Sequence, residues 1–314
     1  MSKSLFFNEL AKILSSNKFL MTNQGKQELF AELFLQQKQS GFFEIEAPTY
    51  IDTSKELAKK LSEENSIPLT CDYEDVDISN PAIAYYRING TIMGESTWRF
   101  STKRFNSDLK IAEENPMIMS HFIQVNSGGG DSWYLDVAWK TMMSLKKPII
   151  VSIERVCASA ALYLVCPASK IYAATANDII GSIGTMVSFL DFIPYFESLG
   201  IKKIEEYAAK SDLKNKKFND LLKGKPKQFI TEELDPLQKQ FETAVRTSRK
   251  KVGALEANHP LYRGETYDTQ SAIDLGLIDG QKEQSEAIQE AYDLGEKYIN
   301  KNKGVLHLLN SVLN

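Results

Sequence analysis

HFIQVNSGGGDSWYLDVAWKTMMSLKKPIIVSIERVCASAALYLVCPASKIYAATA, residues 121–176, decides the fold. Three short β runs, HFIQVNS, PIIVSIER and KIYAATA, are separated by two segments with helical character. Strands that alternate with helices imply crossover connections and a largely parallel sheet. The first helical segment, DSWYLDVAWKTMMSLKK, offers Asp131 as a cap and one apolar face of Tyr134, Ala138, Met142 and Leu145, and Pro148 stops it. The second, ASAALYLVCPA, is short and built of small apolar residues. Each helix begins where a strand ends, at Asn126-Ser127-Gly128-Gly129-Gly130 and at Cys157-Ala158-Ser159-Ala160-Ala161.

Outward from this stretch, AIAYYRING (82–90) adds a further strand, and a boundary falls near Asn80 and Pro81. Residues 1–38 read as helical from Leu10, Leu14, Phe30, Leu33 and Phe34, and residues 39–80 are mixed. On the C-terminal side, Asp235, Pro236 and Gln238 give the pattern of an N-cap, a first-turn proline and a capping-box partner. The helix they open should bury Leu237, Phe241 and Val245, and a last amphipathic helix spans roughly 283–301. The organisation expected is an extension over 1–80, a core domain over 81–281 and a helical tail over 282–314.

The chain has 314 residues, 43% of them hydrophobic and 25% charged, as an ordinary globular protein does. A net charge of −4 gives no general case for nucleic acid, the basic run from Lys210 to Lys227 being a local exception. Cys71, Cys157 and Cys166 lack metal-ligand spacing, and their odd number suggests reduced thiols. Asn8, Glu9 and Lys12 interrupt any signal-like apolar core, and no stretch reaches the ~20 apolar residues of a membrane span. The expectation is a cytoplasmic chain without a membrane anchor.

The two junctions carry the chemistry. Consecutive glycines before a helix leave backbone N–H groups open to an anion or a developing oxyanion, although a tight turn would need the same residues. A serine at the start of a helix of small residues has the helix N-terminus and the next N–H beside it, although tight packing would also select that composition.

In order, GTI, NSGGG, ASAALYL, GSIGTM and YRGETYDTQSAIDLGLIDG resemble the SppA-type signal peptide peptidase family, and within it the phage head-maturation proteases. The likeness covers about residues 81–281, and NKFLMTNQGKQELFAELF near the N-terminus is similar to the segment that opens many of the phage enzymes. It implies an α/β fold, a ClpP/crotonase-like spiral of parallel strands and helices with helical extensions at both ends. It also implies a serine peptidase that uses a lysine as base and needs neither cofactor nor metal. Members usually carry Asn-Ser-Pro-Gly-Gly and Ala-Ser-Gly-Gly or Ser-Ala-Gly. Here Gly128 replaces the proline and Ala160 and Ala161 the glycines, which keeps every N–H the chemistry uses. By this match Ser159 is the nucleophile, and the N–H groups of Gly129 or Gly130 and of Ala160 form the oxyanion hole.

The family's base lies in a Ser-Gly-x-x-Lys segment, where a gapless match places Asp212. A two-residue insertion restores Lys214, and a shorter loop would select Lys210. A lysine base must be neutral, so its pKa has to fall from ~10.4 to about 7–8 through desolvation, which a subunit interface could supply. His121, His259 and His307 are the alternatives for a triad. Gly181, Ser182 and Gly184 of GSIGTM either present main chain to an extended peptide or form a turn between strands. The resemblance further implies a homo-oligomer acting on a polypeptide, such as a scaffold or capsid precursor in a host cytoplasm or prohead. Rival readings are a cytoplasmic signal-peptide-degrading peptidase, a crotonase-type acyl-CoA enzyme and a non-catalytic assembly protein.

Overall fold

The computed structural model describes residues 19–21, 53–74, 80–97, 99–188, 197–198, 200, 202 and 204–313, with backbone alone at 19–21 and 303–313. The helical reading of residues 1–38 falls outside the described residues except at 19–21, which are extended.

The strands are β1 (Phe19–Met21), β2 (Leu69–Thr70), β3 (Ala82–Asn89), β4 (Ile118–Ser127), β5 (Gly129–Asp131), β6 (Ile149–Ala158), β7 (Lys170–Ala173), β8 (Ile179–Gly181), β9 (Thr266–Tyr267) and β10 (Gly280–Gln281). The principal helices are α1 (Ser54–Asn65), α2 (Thr102–Glu114), α3 (Leu135–Ser144), α4 (Ala160–Val165), α5 (Lys216–Leu222), α6 (Asp235–Ser248), α7 (Thr269–Leu275) and α8 (Gln284–Leu313).

The main sheet runs β10-β7-β6-β4-β3-β2 with every pair parallel. Helices cover both faces, so its central strands are apolar almost throughout rather than alternating. Ala84, Tyr86, Ile88, Ile123, Val125, Val151 and Ile153 face one core with α2, α3, α4 and α6. Their neighbours Ile83, Tyr85, Phe122 and Ile150 face a second core with α1 and α8. β2 therefore joins the sheet from the N-terminal side of Asn80, and α8 packs Ala287, Ile288 and Ala291 against it.

β6 changes partner along its length. Ile150–Ile153 pair with β7, whereas Val156–Ala158 pair with β8. Between them β4 and β6 slip from Val125↔Ile153 to Ser127↔Cys157, so β6 carries two extra residues. Arg155 there has φ 79°, and its N–H donates to buried Asp178, which also accepts from the N–H groups of Ala174 and Thr175. This bulge turns the end of β6 away from the first sheet, giving the α/β spiral of the ClpP/crotonase type.

Three local expectations are corrected. Asp131 does not cap α3, whose first flanking residue is Tyr134 at φ 65°; its carboxylate accepts instead from the N–H groups of Trp133 and Gly94. Tyr134 is exposed rather than on the buried face, while Ala138 and Met142 are buried as read. Asp235 does not open its helix, because a turn at Lys227–Phe229 and a π-helical segment Ile230–Leu234 run straight into α6. Pro236 cannot donate to residue 232 and its ring crowds that carbonyl, and the wider π turn relieves both problems. Phe241 and Val245 are buried and Leu237 only partly so.

Candidate active site

β4 and β6 lie side by side and parallel, and Ser127↔Cys157 is their last pair. The two glycine- and serine-bearing junctions thus meet at the same end of the sheet, the C-terminal ends of the strands where open α/β folds bind ligands.

Ser159 is held at φ 57° and ψ −123°. That region belongs almost wholly to glycine and costs an L-residue about 1–3 kcal/mol. Contacts on both sides enforce it. The Ser159 N–H donates to the Gly181 carbonyl at 2.9 Å as β6 ends on β8, and the Ser159 carbonyl accepts from the Tyr163 N–H at 3.0 Å as α4 begins. A sharp strand-to-helix turn of this kind lifts a nucleophile's hydroxyl out of the backbone's own hydrogen bonding. Ser159 is fully buried, and its Oγ has no hydrogen-bond partner. A buried hydroxyl left unpaired is costly; those of Thr102, Ser120 and Ser152 share that state, and among these described residues Ser159 alone combines it with a positive φ.

Ala160, the first residue of α4, has an N–H with no partner inside its helix. Within the glycine loop, Gly129 and Gly130 are held differently. The Gly129 N–H is engaged by the Ser127 hydroxyl at 3.1 Å, and that hydroxyl donates to the Gly90 carbonyl at 2.6 Å. Gly130 must be glycine because a Cβ would stand 2.0 Å from the Ile92 carbonyl oxygen, in the bridge that seats β5. Its own N–H points to the opposite edge.

At Gly181, Ser182 and Gly184, the close approach that glycine permits is used by the chain itself. A Cβ on Gly181 would lie 2.7 Å from the Glu265 carbonyl oxygen, and one on Gly184 would lie 3.2 Å from the Gly264 Cα. β9 pairs antiparallel with β8, and the Ser182 N–H donates to Glu265 O at 2.7 Å. Sequence reasoning gave Gln238 a capping role, whereas it fastens this loop. Its Oε1 accepts from the Thr185 N–H at 2.9 Å, and its Nε2 donates to the carbonyls of Tyr262 at 2.8 Å and Ile183 at 3.3 Å. Nothing in the local sequence signals that role, since the partners lie 24 to 55 residues away.

Lys210 and Lys214 are exposed, and neither is hydrogen-bonded to Ser159 Oγ. Their neighbours are satisfied otherwise: Lys216 pairs with Asp220, and Lys217 with Glu232 at 3.3 Å and with Glu233. Leu213, beside Lys214, is 72% exposed.

His121 lies in β4 six residues before Ser127, about 20 Å along the strand from the site. It is buried between Tyr86 Oη at 3.0 Å and Glu113 Oε2 at 3.2 Å. His259 accepts from the Leu261 N–H through Nδ1 at 3.2 Å, capping a short 3₁₀ turn. The side chain of His307 is outside the described residues.

A parallel α/β sheet thus carries at one end a strained serine turn with an unpaired hydroxyl, on the strand next to the one that leads into the glycine loop. Residues 142–297, just under half of the chain, match the model of peptidase family S49. It is 27% identical over 217 residues to a protein of Enterococcus faecium provisionally named signal peptide peptidase SppA, covering 64% of this chain and 60% of that one. It is 26% identical over 212 residues to a protein of Methanocaldococcus jannaschii provisionally named a protease, covering 62% of this chain and 65% of that one. The chain thus spans less than two thirds of the length of either relative.

Similar solved structures include the membrane-bound stomatin-specific protease 1510-N, at 13% identity and a TM-score of 0.44 over 68% of this chain and 84% of that one. Another is a ClpP1 mutant from Listeria monocytogenes, at 13% identity and a TM-score of 0.39 over 74% of this chain and 98% of that one. Among the described residues no helix is long and apolar enough to cross a membrane.

Proposed function

We propose that the chain is a serine endopeptidase that hydrolyses peptide bonds through an acyl-enzyme on Ser159. The observation that carries this reading is the Ser159 turn, strained at φ 57° with a buried and unpartnered hydroxyl. Ser159 Oγ attacks the scissile carbonyl, and the N–H groups of Gly130 and Ala160 hold the oxyanion that forms. The amine leaves with the serine's proton, and water then hydrolyses the ester.

The base in this reading is Lys214, with Lys210 the alternative. A lysine serves as a base only when desolvated, and both lysines are exposed, so the reading requires a second subunit to cover this surface. The exposed side chains of Ile204, Tyr207 and Leu213 give it an apolar face suited to such a contact. Homo-oligomerisation is therefore part of the proposal. Its biological setting, the processing of scaffold or capsid precursors by a phage or prophage enzyme, rests on the sequence resemblance, with degradation of signal peptides as the alternative.

The exposure of both lysines favours one second reading, an assembly protein that retains the fold without turnover. Labelling by a fluorophosphonate and mass spectrometry of unfolded casein digests separate the two. The peptidase reading expects labelling and cleavage in wild type, neither in Ser159→Ala, and labelling without efficient cleavage in Lys214→Ala. Cleavage that persists in Ser159→Ala would overturn it.

A further inference from the structure

Rested on the reading of Ser159 as nucleophile, the backbone of the N-terminal strand points to a substrate inside the chain. β1 lies antiparallel on β5, with Phe19 opposite Asp131, Leu20 opposite Gly130 and Met21 opposite Gly129. The other edge of β5 is already used: the Asp131 N–H donates to the Ile92 carbonyl at 2.8 Å, and the Ile92 N–H donates to the Gly129 carbonyl at 3.0 Å. Successive residues of a strand turn their N–H and C=O to opposite edges, so those of Gly130 face β1. Leu20 and Gly130 are then the pair that exchanges both hydrogen bonds, and the Leu20 carbonyl sits on the Gly130 N–H. That N–H is the oxyanion donor of the candidate site.

The direction of the chain fits as well. Because β1 runs against β5, Phe19 lies toward Asp131, and Met21 lies toward the Ser127–Cys157 pair from which Ser159 follows. A peptide held with its acyl side along β5 and its next amide toward the serine is in the productive orientation for acyl transfer. The Ser159 hydroxyl at this place is buried and unpaired.

We propose that the chain cleaves itself, in cis, at the Leu20–Met21 bond. Ser159 Oγ forms an ester with the Leu20 carbonyl carbon, the C–N bond to Met21 breaks, and the serine's proton passes through the base to the Met21 nitrogen. Water then hydrolyses the ester, leaving Leu20 as a free carboxylate and Ser159 restored. The segment ending at Leu20 is released, and the β1-facing edge of Gly130 becomes available to a separate polypeptide. Self-cleavage thus precedes cleavage of other chains, and the first substrate displays the register that later ones adopt.

The test follows intact mass and N-terminal sequence of the full chain carrying a C-terminal tag, over time and over a tenfold range of concentration within which light scattering shows one unchanging oligomer, beside casein digestion by the same samples. The expected result is a new N-terminus at Met21, formed in expression or on incubation at a rate independent of concentration, and absent in Ser159→Ala. Leu20→Pro, which removes the N–H donated to the Gly130 carbonyl, should slow the cut at least tenfold. Digestion of casein by wild type with Leu20–Met21 intact overturns this inference and leaves the peptidase reading standing. A cut that also appears in Ser159→Ala, or whose rate rises with concentration, overturns cleavage in cis by this serine. Failure of both casein and self-cleavage, with Ser159 unlabelled by fluorophosphonate, overturns both.

Discussion

Replacing Ser159 should make the protein more stable, and the two smallest replacements should do so for separable reasons. Ser159→Ala keeps the Cβ and the strained backbone but removes a buried hydroxyl that has no partner, a burden of ~1–3 kcal/mol. Ser159→Gly removes the hydroxyl and also the strain of φ 57°, ψ −123°, about 1–3 kcal/mol, against the ~0.5–1 kcal/mol that glycine adds in chain entropy. The order expected is therefore wild type, then Ala, then Gly, with Gly ahead of Ala by about 0.5–2 kcal/mol. At ~2–4 °C per kcal/mol for a domain of about 150–250 residues, that last step is several degrees at most. Urea unfolding followed by the fluorescence of the three tryptophans, alongside thermal scans, reads the order. An Ala variant less stable than wild type would refute the unpaired hydroxyl. A Gly variant no more stable than Ala would refute the strained turn. Either outcome would remove the ground for treating this serine as kept for chemistry.

Gly130→Ala should push β5 off Ile92, forfeiting two hydrogen bonds worth ~1 kcal/mol each and lowering kcat by about 10²–10³ with the lost oxyanion donor, as peptide hydrolysis would show. Gln238→Ala should cost ~1–3 kcal/mol by unpairing the Thr185 N–H and two carbonyls, and limited proteolysis should then cut within 181–188 sooner than in wild type.

Burial holds His121 below its ordinary pKa despite Glu113, so the unfolded chain takes up a proton the native one refuses and stability falls as pH drops below ~6.5. Burial alone would raise Glu113, but His121, the Lys146 N–H and Lys147 hold it below its usual range, adding a further loss below ~4.5. Urea midpoints from pH 7 to 5 should decline, and His121→Leu should flatten that decline. Burial raises the Cys157 thiol well above its usual range and pushes Cys166 up to about 12, so a disulfide reagent at pH 8 should modify Cys71 in the native protein and all three thiols only after unfolding.

The parallel sheet was legible because β4, β6 and β7 are buried on both faces. Strands of that kind must be written as apolar runs set off by helices, and burial on this scale leaves a mark in composition alone. The two junctions were legible for a related reason: backbone N–H groups stay open only where side chains are small, so Gly128–Gly130 and Ala158–Ala161 stand out. What the residues at each junction do was decided elsewhere in the chain. The conformation of Ser159 depends on the Gly181 carbonyl, and the hydrogen bonds of Gly129 depend on Ser127 and Ile92. Gln238 reads locally as a capping partner, yet it holds a loop more than 50 residues away. Asp131 reads as a cap, yet it serves the N–H of Gly94.

Composition and periodicity record how much each residue is buried, which the sequence can carry by itself. Hydrogen-bond partners across the fold are fixed only when the strands have paired, and so the direction of each N–H and the seat of β1 on β5 belonged to the tertiary structure.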